Sequence, residues 1–296
     1  MGNTIHIVCA TDENYAPFAS IMMKSVLRHT RSFVNFYILD GGIVTRTKKL
    51  IAKDLRSYRN KCVHYVDMKR FDLSRFPNIR HYSLNTFSRY FIPELFSDLK
   101  RVLYMDVDII AKKDIAELYY QNMEKYPIAA VLEDFYEGNY KTLKTRIWPS
   151  YEGKDQYFNA GIILFDIPKL RNLEFTKKTI QLTTQLYHKL SCPDQDVLNI
   201  LFENNFKVLD YRFNYMPDHF HLLKRKHPEI HTVDPVVIHY TAQKPWKDIS
   251  LASGDFNEVA CRSVFWKSLQ KQYHTKFIAK FFLFGYIPLF HWRKHK

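Results

Sequence analysis

The sequence predicts an α/β protein with a mostly parallel sheet, and two features carry that prediction. Short, nearly all-apolar runs recur at Ile5 to Cys9, Phe36 to Leu39, Cys62 to Val66 and Val102 to Met105. Runs of this length without alternation suit strands buried on both faces. Between them lie helix signals: Pro17 opens a segment carrying Ile21, Met22, Val26 and Leu27, and Thr45 caps a basic segment through Leu55. Strand and helix in alternation imply βαβ units, with a ligand crevice at the C-terminal ends of the strands.

The remaining elements follow in order. Thr11 to Asn14 and Asp40-Gly41-Gly42 are polar loops closing the first two strands, and a helix is expected over Thr86 to Phe96. The next strand should run to Asp106. Ala129 to Leu132 and Gly161 to Phe165 read as further strands, Glu174 to Leu190 and Gln195 to Glu203 as helices. Without an internal repeat or linker, residues 1–255 form one catalytic domain on the usual size range. Residues 256–296 form a separate basic, aromatic segment.

Composition narrows the chemistry. The chain has 296 residues, 46% of them hydrophobic, which supplies a sizeable core. Only 8 glycines occur, and neither G-x-G-x-x-G nor G-x-x-x-x-G-K-[ST] is present, which disfavours glycine-cradled phosphate sites. The net charge of +14 suits anionic partners. No nucleic-acid-reading motif accompanies it. Cys9, Cys62, Cys192 and Cys261 stand far apart, so neither a structural zinc site nor a disulfide framework is indicated. With no basic leader before the first strand and no apolar stretch of about 18 residues, the expected location is cytoplasmic.

Asp106-Val107-Asp108 is the most informative motif, standing between Val102-Leu103-Tyr104-Met105 and Ile109-Ile110. In a strand, i and i+2 share a face, so two carboxylates would project together from an apolar setting, which is costly unless a cation lies between them. Oxygen ligands favour Mn²⁺ or Mg²⁺, whose other ligands are commonly phosphate and water.

Each further candidate has a plainer alternative. Ala10, Asp12 and Asn14 follow the first strand, where α/β proteins hold ligands, but an Asx-rich turn explains them equally. Arg89 suits a phosphate or sugar hydroxyl, or an ordinary salt bridge. Asn159 and the turn Cys192-Pro193-Asp194-Gln195-Asp196 offer short polar arms, although Asp194 also suits an N-cap. His239 ends an apolar run and would complete a metal site with Lys244 nearby; a lone His after a strand is otherwise a core residue. His219-Phe220-His221 lacks the third ligand of a zinc hydrolase.

Together these fragments resemble the family 8 glycosyltransferases from about Ile5 to Trp246. The matching stretches are A-T-D-E-N-Y, N-I-R-H-Y-S, V-L-Y-M-D-V-D, Y-F-N-A-G, D-Q-D-V-L-N, R-F-N-Y-M-P and H-Y-T-A-Q-K-P-W, in matching order and spacing. The resemblance implies a GT-A type fold, with a Rossmann-like nucleotide-binding sheet and helices on both faces. It implies a retaining enzyme that moves galactose or glucose from a UDP-sugar to a saccharide or glycolipid acceptor, such as a lipopolysaccharide or lipo-oligosaccharide core. Asp106, Asp108 and His239 would bind Mn²⁺ (or Mg²⁺), Lys244 would grip the diphosphate, and Ala10, Asp12 and Asn14 would hold uridine and ribose. Arg89, Asn159, Asp194 and Gln195 would surround the donor sugar, with Asp194 and Gln195 as catalytic candidates beside the Asp pair. His81 would lie on a loop over the donor. Relatives often carry Gly shortly after the metal-binding His, whereas Thr241-Ala242-Gln243 follows here. A metal-dependent nucleotidyltransferase is the competing reading of Asp-X-Asp. From Lys267 the chain interleaves aromatics with Lys and Arg, which reads as an interfacial segment for the anionic inner face of a membrane.

Overall fold

The computed structural model describes residues 4–71, 76, 84–133, 143–150, 156–217, 233–241, 244–247 and 253–273. Seven strands form a central, mainly parallel sheet in the order β3-β2-β1-β4-β7-β6-β8. They are β1 (Thr4–Thr11), β2 (Phe33–Asp40), β3 (Lys61–Asp67), β4 (Arg101–Met105), β6 (Ile128–Leu132), β7 (Phe158–Asp166) and β8 (Lys207–Val208). A two-stranded sheet pairs β5 (Ile109–Ala111) with β9 (Val237–His239). Helices α1 (Ala16–His29) and α2 (Thr45–Asp54) are the crossovers of the parallel half. This is the GT-A architecture.

The apolar runs are explained by burial on both faces. Ile5, Ile7 and Cys9 of β1 and Leu103 and Met105 of β4 enter a core shared with α1. Val8, Val102 and Tyr104, one position out of phase, enter a second core on the opposite face. Cys9 is fully enclosed, and burial pushes its thiol up to about 12. All four cysteines are free thiols.

β7 is antiparallel to β4, pairing Met105 with Ile162 and Arg101 with Asp166. The start of β7 therefore lies beyond the C-terminal end of β4. This reversal carries Asn159, Ala160 and Gly161 to the edge where ligands bind in parallel sheets.

Four expectations need correction. Thr45 is the first residue of α2 and not its cap, a position held by Val44. The segment expected as one helix from Thr86 to Phe96 is a 3₁₀ helix, Leu84–Phe91, followed by the short α3 (Ile92–Leu95). Phe87 and Tyr90, three apart, are both buried on one side, which suits three residues per turn, and Pro93 removes an amide from the ladder. The helix expected over Glu174 to Leu190 spans Phe175–Leu186, because Glu174 adopts a left-handed backbone, φ 52°, and separates it from a preceding helix, Ile167–Asn172. Asp106-Val107-Asp108 is not strand but a turn between β4 and β5.

After β9 the chain returns to α1. Trp246 stacks on Phe18 with ring centroids 3.7 Å apart, and helices Ser253–Ala260 and Trp266–Gln272 bury Phe256, Val259 and Leu269 in the same core. Residues on both sides of position 255 share this packing. A buried ion pair fastens it: Lys24 Nζ lies 2.5 Å from Asp54 and 2.7 Å from the Arg262 carbonyl. Asp54 also accepts from Ser20, Ser263 and the Val264 amide, so little of its polar capacity is left unmet. Among the described residues, no helix is long and apolar enough to cross a membrane.

Candidate active site

The Asp106-Val107-Asp108 turn is pinned at both ends by backbone. The Asp106 amide donates to the Gly161 carbonyl at 2.8 Å, and the Tyr240 amide donates to the Asp108 carbonyl at 3.0 Å. Opposite Ile109 in the small sheet stands His239. Its Nε2 lies 3.4 Å from Asp108 Oδ1 and 4.0 Å from Asp106 Oδ2. Ligand atoms of the three residues fall within 4.8 Å of one another. Strand alternation does not produce this convergence; the turn joining the two sheets does.

The tautomer of His239 is set by a residue absent from the sequence-based candidates. Asn214 Nδ2 donates to Asn159 Oδ1 at 2.9 Å, which leaves Asn214 Oδ1 as an acceptor 3.0 Å from His239 Nδ1. The network therefore assigns the proton to Nδ1 and aims the Nε2 lone pair at the carboxylates. Gly161 permits the approach, since a Cβ there would overlap His239 Cε1 and stand 2.9 Å from Asp106 Oδ2.

Arg89 joins this group to the other wall. Its guanidinium is buried, 4% exposed, and lies 3.1 Å from Asp106 Oδ1 and 3.1 Å from Asp194 Oδ2. Its Nη1 donates to the Ala160 carbonyl at 2.6 Å, and the group lies 4.2 Å from the Tyr104 ring centroid. Burial opposes the charge, but Asp194 and Asp106 hold the guanidinium protonated. Asp194 pairs with Arg89 instead of capping its helix, Pro193–Leu201. The neighbouring Asp196 serves that end, accepting from the Ser191 and Cys192 amides at 2.7 and 2.8 Å.

Gln195 has both ends of its amide fixed. Oε1 accepts from the Ala160 amide at 2.8 Å, and Nε2 donates to Glu133 Oε2 at 2.8 Å. Asn159 Nδ2 donates to the same carboxylate oxygen at 3.1 Å. Glu133 is 7% exposed, and burial pushes its carboxyl above the usual range despite the two amide donors. Its only sequence signal was its place directly after the strand ending at Leu132.

On the metal side, Lys244 Nζ lies 2.5 Å from Asp108 Oδ2 and donates to the Tyr240 carbonyl at 2.6 Å. Burial works against ionisation, yet the Lys244 ammonium holds the Asp108 carboxyl well below the usual carboxylate range. Burial pushes the Asp106 carboxyl up; the Arg89 charge opposes this and the Asp108 charge adds to it. A divalent cation would relieve that repulsion.

Arg89, Asp106, Asp108, Glu133, Asn159, Asp194, Gln195 and His239 line one cleft of about 220 Å³, whose lining does not include Lys244 or Asn214. Ala10, Asp12 and Asn14 lie outside its lining. Asp12 Oδ1 closes an Asx turn on the amides of Asn14 and Tyr15, at 3.0 and 3.1 Å, at the head of α1. His81, His219 and His221 fall outside the described residues.

The sequence profile of glycosyl transferase family 8 matches residues 6–250. The chain belongs to this family. It is 30% identical to glycosyltransferase GlyF of Streptococcus pneumoniae over 83% of its own length and 58% of that protein's. A second pneumococcal relative, GlyB, is likewise covered over only 61% of its length. Lipopolysaccharide 1,3-galactosyltransferase of Salmonella typhimurium is 28% identical, with 81% of this chain and 72% of that protein covered. Among solved structures, galactosyltransferase LgtC with donor and acceptor sugar analogues superposes with a TM-score of 0.76 at 30% identity. That match covers 90% of this chain and 100% of LgtC. An LgtC active-site mutant, a glutamine replaced by glutamate, matches at 0.75 and 28% identity over the same shares. This family 8 glycosyltransferase thus shares the LgtC fold.

If Asn214 sets the His239 tautomer, Asn214→Ala should weaken divalent-cation binding about 10- to 100-fold while the fold persists. Calorimetric titration of Mn²⁺ in the presence of UDP checks this, and wild-type affinity would remove Asn214 from the site.

Proposed function

We propose that this glycosyltransferase moves galactose or glucose from a UDP-sugar to a saccharide acceptor, with retention of configuration. The observation carrying the proposal is one cleft with Asp106, Asp108 and His239 on one wall and Arg89, Asp194, Gln195 and Asn159 on the other. The donor set fits a hard divalent ion: two carboxylates and an imidazole with its free lone pair turned inward. Mn²⁺ (or Mg²⁺) held there would neutralise charge on the diphosphate of the donor.

The protein's own groups do the rest. Lys244 exchanges its contact with Asp108 for the leaving diphosphate as a point charge. Ala10, Asp12 and Asn14 take the uridine and ribose at the end of β1, and His81 contributes to donor binding. Asp194, Gln195 and Asn159 position the sugar, with Arg89 fixing Asp194. LgtC and the Salmonella relative are named as galactosyltransferases, which supports a galactosyl donor and a lipopolysaccharide-type acceptor. A screen of nucleotide sugars for Mn²⁺-dependent UDP release tests the reaction class, and release of pyrophosphate instead would favour nucleotidyl transfer. Asp108→Asn should abolish turnover with the fold intact; near wild-type activity at saturating Mn²⁺ would refute the assignment.

Retention proceeds by front-face attack, in which the leaving phosphate accepts the acceptor's proton. Gln195 is a neutral amide whose two ends are already engaged, so it suits positioning better than nucleophilic attack. Gln195→Ala should therefore slow transfer only about 5- to 150-fold, as expected from losing a contact of about 1 to 3 kcal/mol. NMR of the product should show an α linkage from an α-linked donor, and a β linkage would exclude retention.

The basic, aromatic sequence after Tyr273 serves as a peripheral membrane anchor on the cytoplasmic side, and residues 256–273 pack against the catalytic part, residues 1–255. Truncation after Tyr273 should reduce co-sedimentation with anionic vesicles while soluble-acceptor activity remains. Equal pelleting of both forms would rule the anchor out.

A further inference from the structure

We propose that the outer face of α2 is a docking surface for an anionic lipid bilayer. The site is independent of the terminal segment and of the identity of the donor. α2 buries Thr47, Ile51 and Asp54 against the body of the protein. Its other side exposes Arg46, Lys49 and Lys53, and Arg56 follows just past its end. Steps of three, four and three residues align these four cations in one stripe roughly 15 Å long.

Charge balance sets the stripe apart. Asp54 is the sole acidic residue between positions 41 and 66, and it is buried and taken by Lys24. Some other surface cations face acids, as in Arg28 with Glu258, Lys169 with Asp166 and Lys177 with Glu174, whereas here four unpaired cations stand in one row with no exposed acid among them in the sequence. Among the described residues, no ion pair involves Arg46, Lys49, Lys53 or Arg56; Lys48 turns aside to Asp40. Helix stability accounts for Lys53, in the last turn, but not for Arg46, which opposes the helix dipole in a first turn that has no acid of its own and takes its acceptor from Glu13.

Two further observations favour a bilayer over nucleic acid. Val44, 50% exposed, opens the stripe, and Val264, 40% exposed, lies on the segment that Asp54 binds, so apolar side chains accompany the cations. β2 and β4 both run parallel to β1, so α2 starts from the sheet end where Asp106 emerges. A bilayer against α2 would adjoin the rim of the cleft.

The test is co-sedimentation of the full chain with phosphatidylcholine vesicles, with and without phosphatidylglycerol, at about 0.1 M salt. Each cation near such a surface is worth roughly a fivefold change in partitioning. The combined variant Arg46→Gln, Lys49→Gln, Lys53→Gln and Arg56→Gln should partition at least about 10-fold more weakly into anionic vesicles. Its melting temperature and soluble-acceptor activity should not change, and exchanging Lys for Arg and Arg for Lys at the same positions should preserve binding. Arg171→Gln, Lys177→Gln, Lys178→Gln and Lys189→Gln, made together on the opposite face, remove equal charge and should cost far less. Equal losses in the two four-site glutamine variants would reduce the effect to net charge and overturn the proposal. So would undiminished binding by the stripe variant, no selectivity for phosphatidylglycerol, or tighter retention on duplex DNA than on vesicles at the same salt.

Discussion

Arg89 is enclosed in the floor of the cleft, and its guanidinium holds the turn after β4, the start of β7 and the helix at Pro193–Leu201 in one place. A charge so buried is stable only if it is compensated, and here the Asp106 and Asp194 carboxylates and the Ala160 carbonyl surround it. The dependence is mutual. Without Arg89, Asp106 would stand near Asp108 with less compensation, and Asp194 would lose the partner that draws it away from a capping role.

From this pivot the cleft divides into two chemically different walls. On one, carboxylates and an imidazole converge where the main sheet hands the chain to the small β5–β9 sheet. On the other, Asn159 and Gln195 are locked by Glu133 and by the backbone of β7. Asn214 bridges them, bonding Asn159 with one end of its amide and His239 with the other. Amide groups with both ends fixed lose little freedom when a sugar arrives, which is the value of a preorganised polar site.

The strands of the parallel half were legible because burial on both faces leaves unbroken apolar runs, as at Ile5 to Cys9. Helix limits were less so. Nothing local announces that Glu174 takes a left-handed backbone, and Pro93 with Phe87 and Tyr90 favours a 3₁₀ turn only once those rings have a core to enter. Asp106, Asp108, His239, Arg89, Asn159, Asp194 and Gln195 were all readable as candidates and share one cleft. The roles of Glu133 and Asn214 were not, although Asn214 stands in the R-F-N-Y-M-P stretch, since each acts by bonding another side chain.

By itself the sequence determined the α/β class, the family and most of the polar groups of the cleft, because these rest on local apolar pattern and motif order. Tertiary structure alone decided how those groups meet. Residues 106 and 108 lie more than 130 positions from His239, and the contact depends on β9 pairing with β5. Likewise β7 had to run antiparallel to β4 before Asn159 and Gly161 could reach the site. Strand direction and pairing are set by how whole faces bury against one another, which no short stretch of sequence encodes.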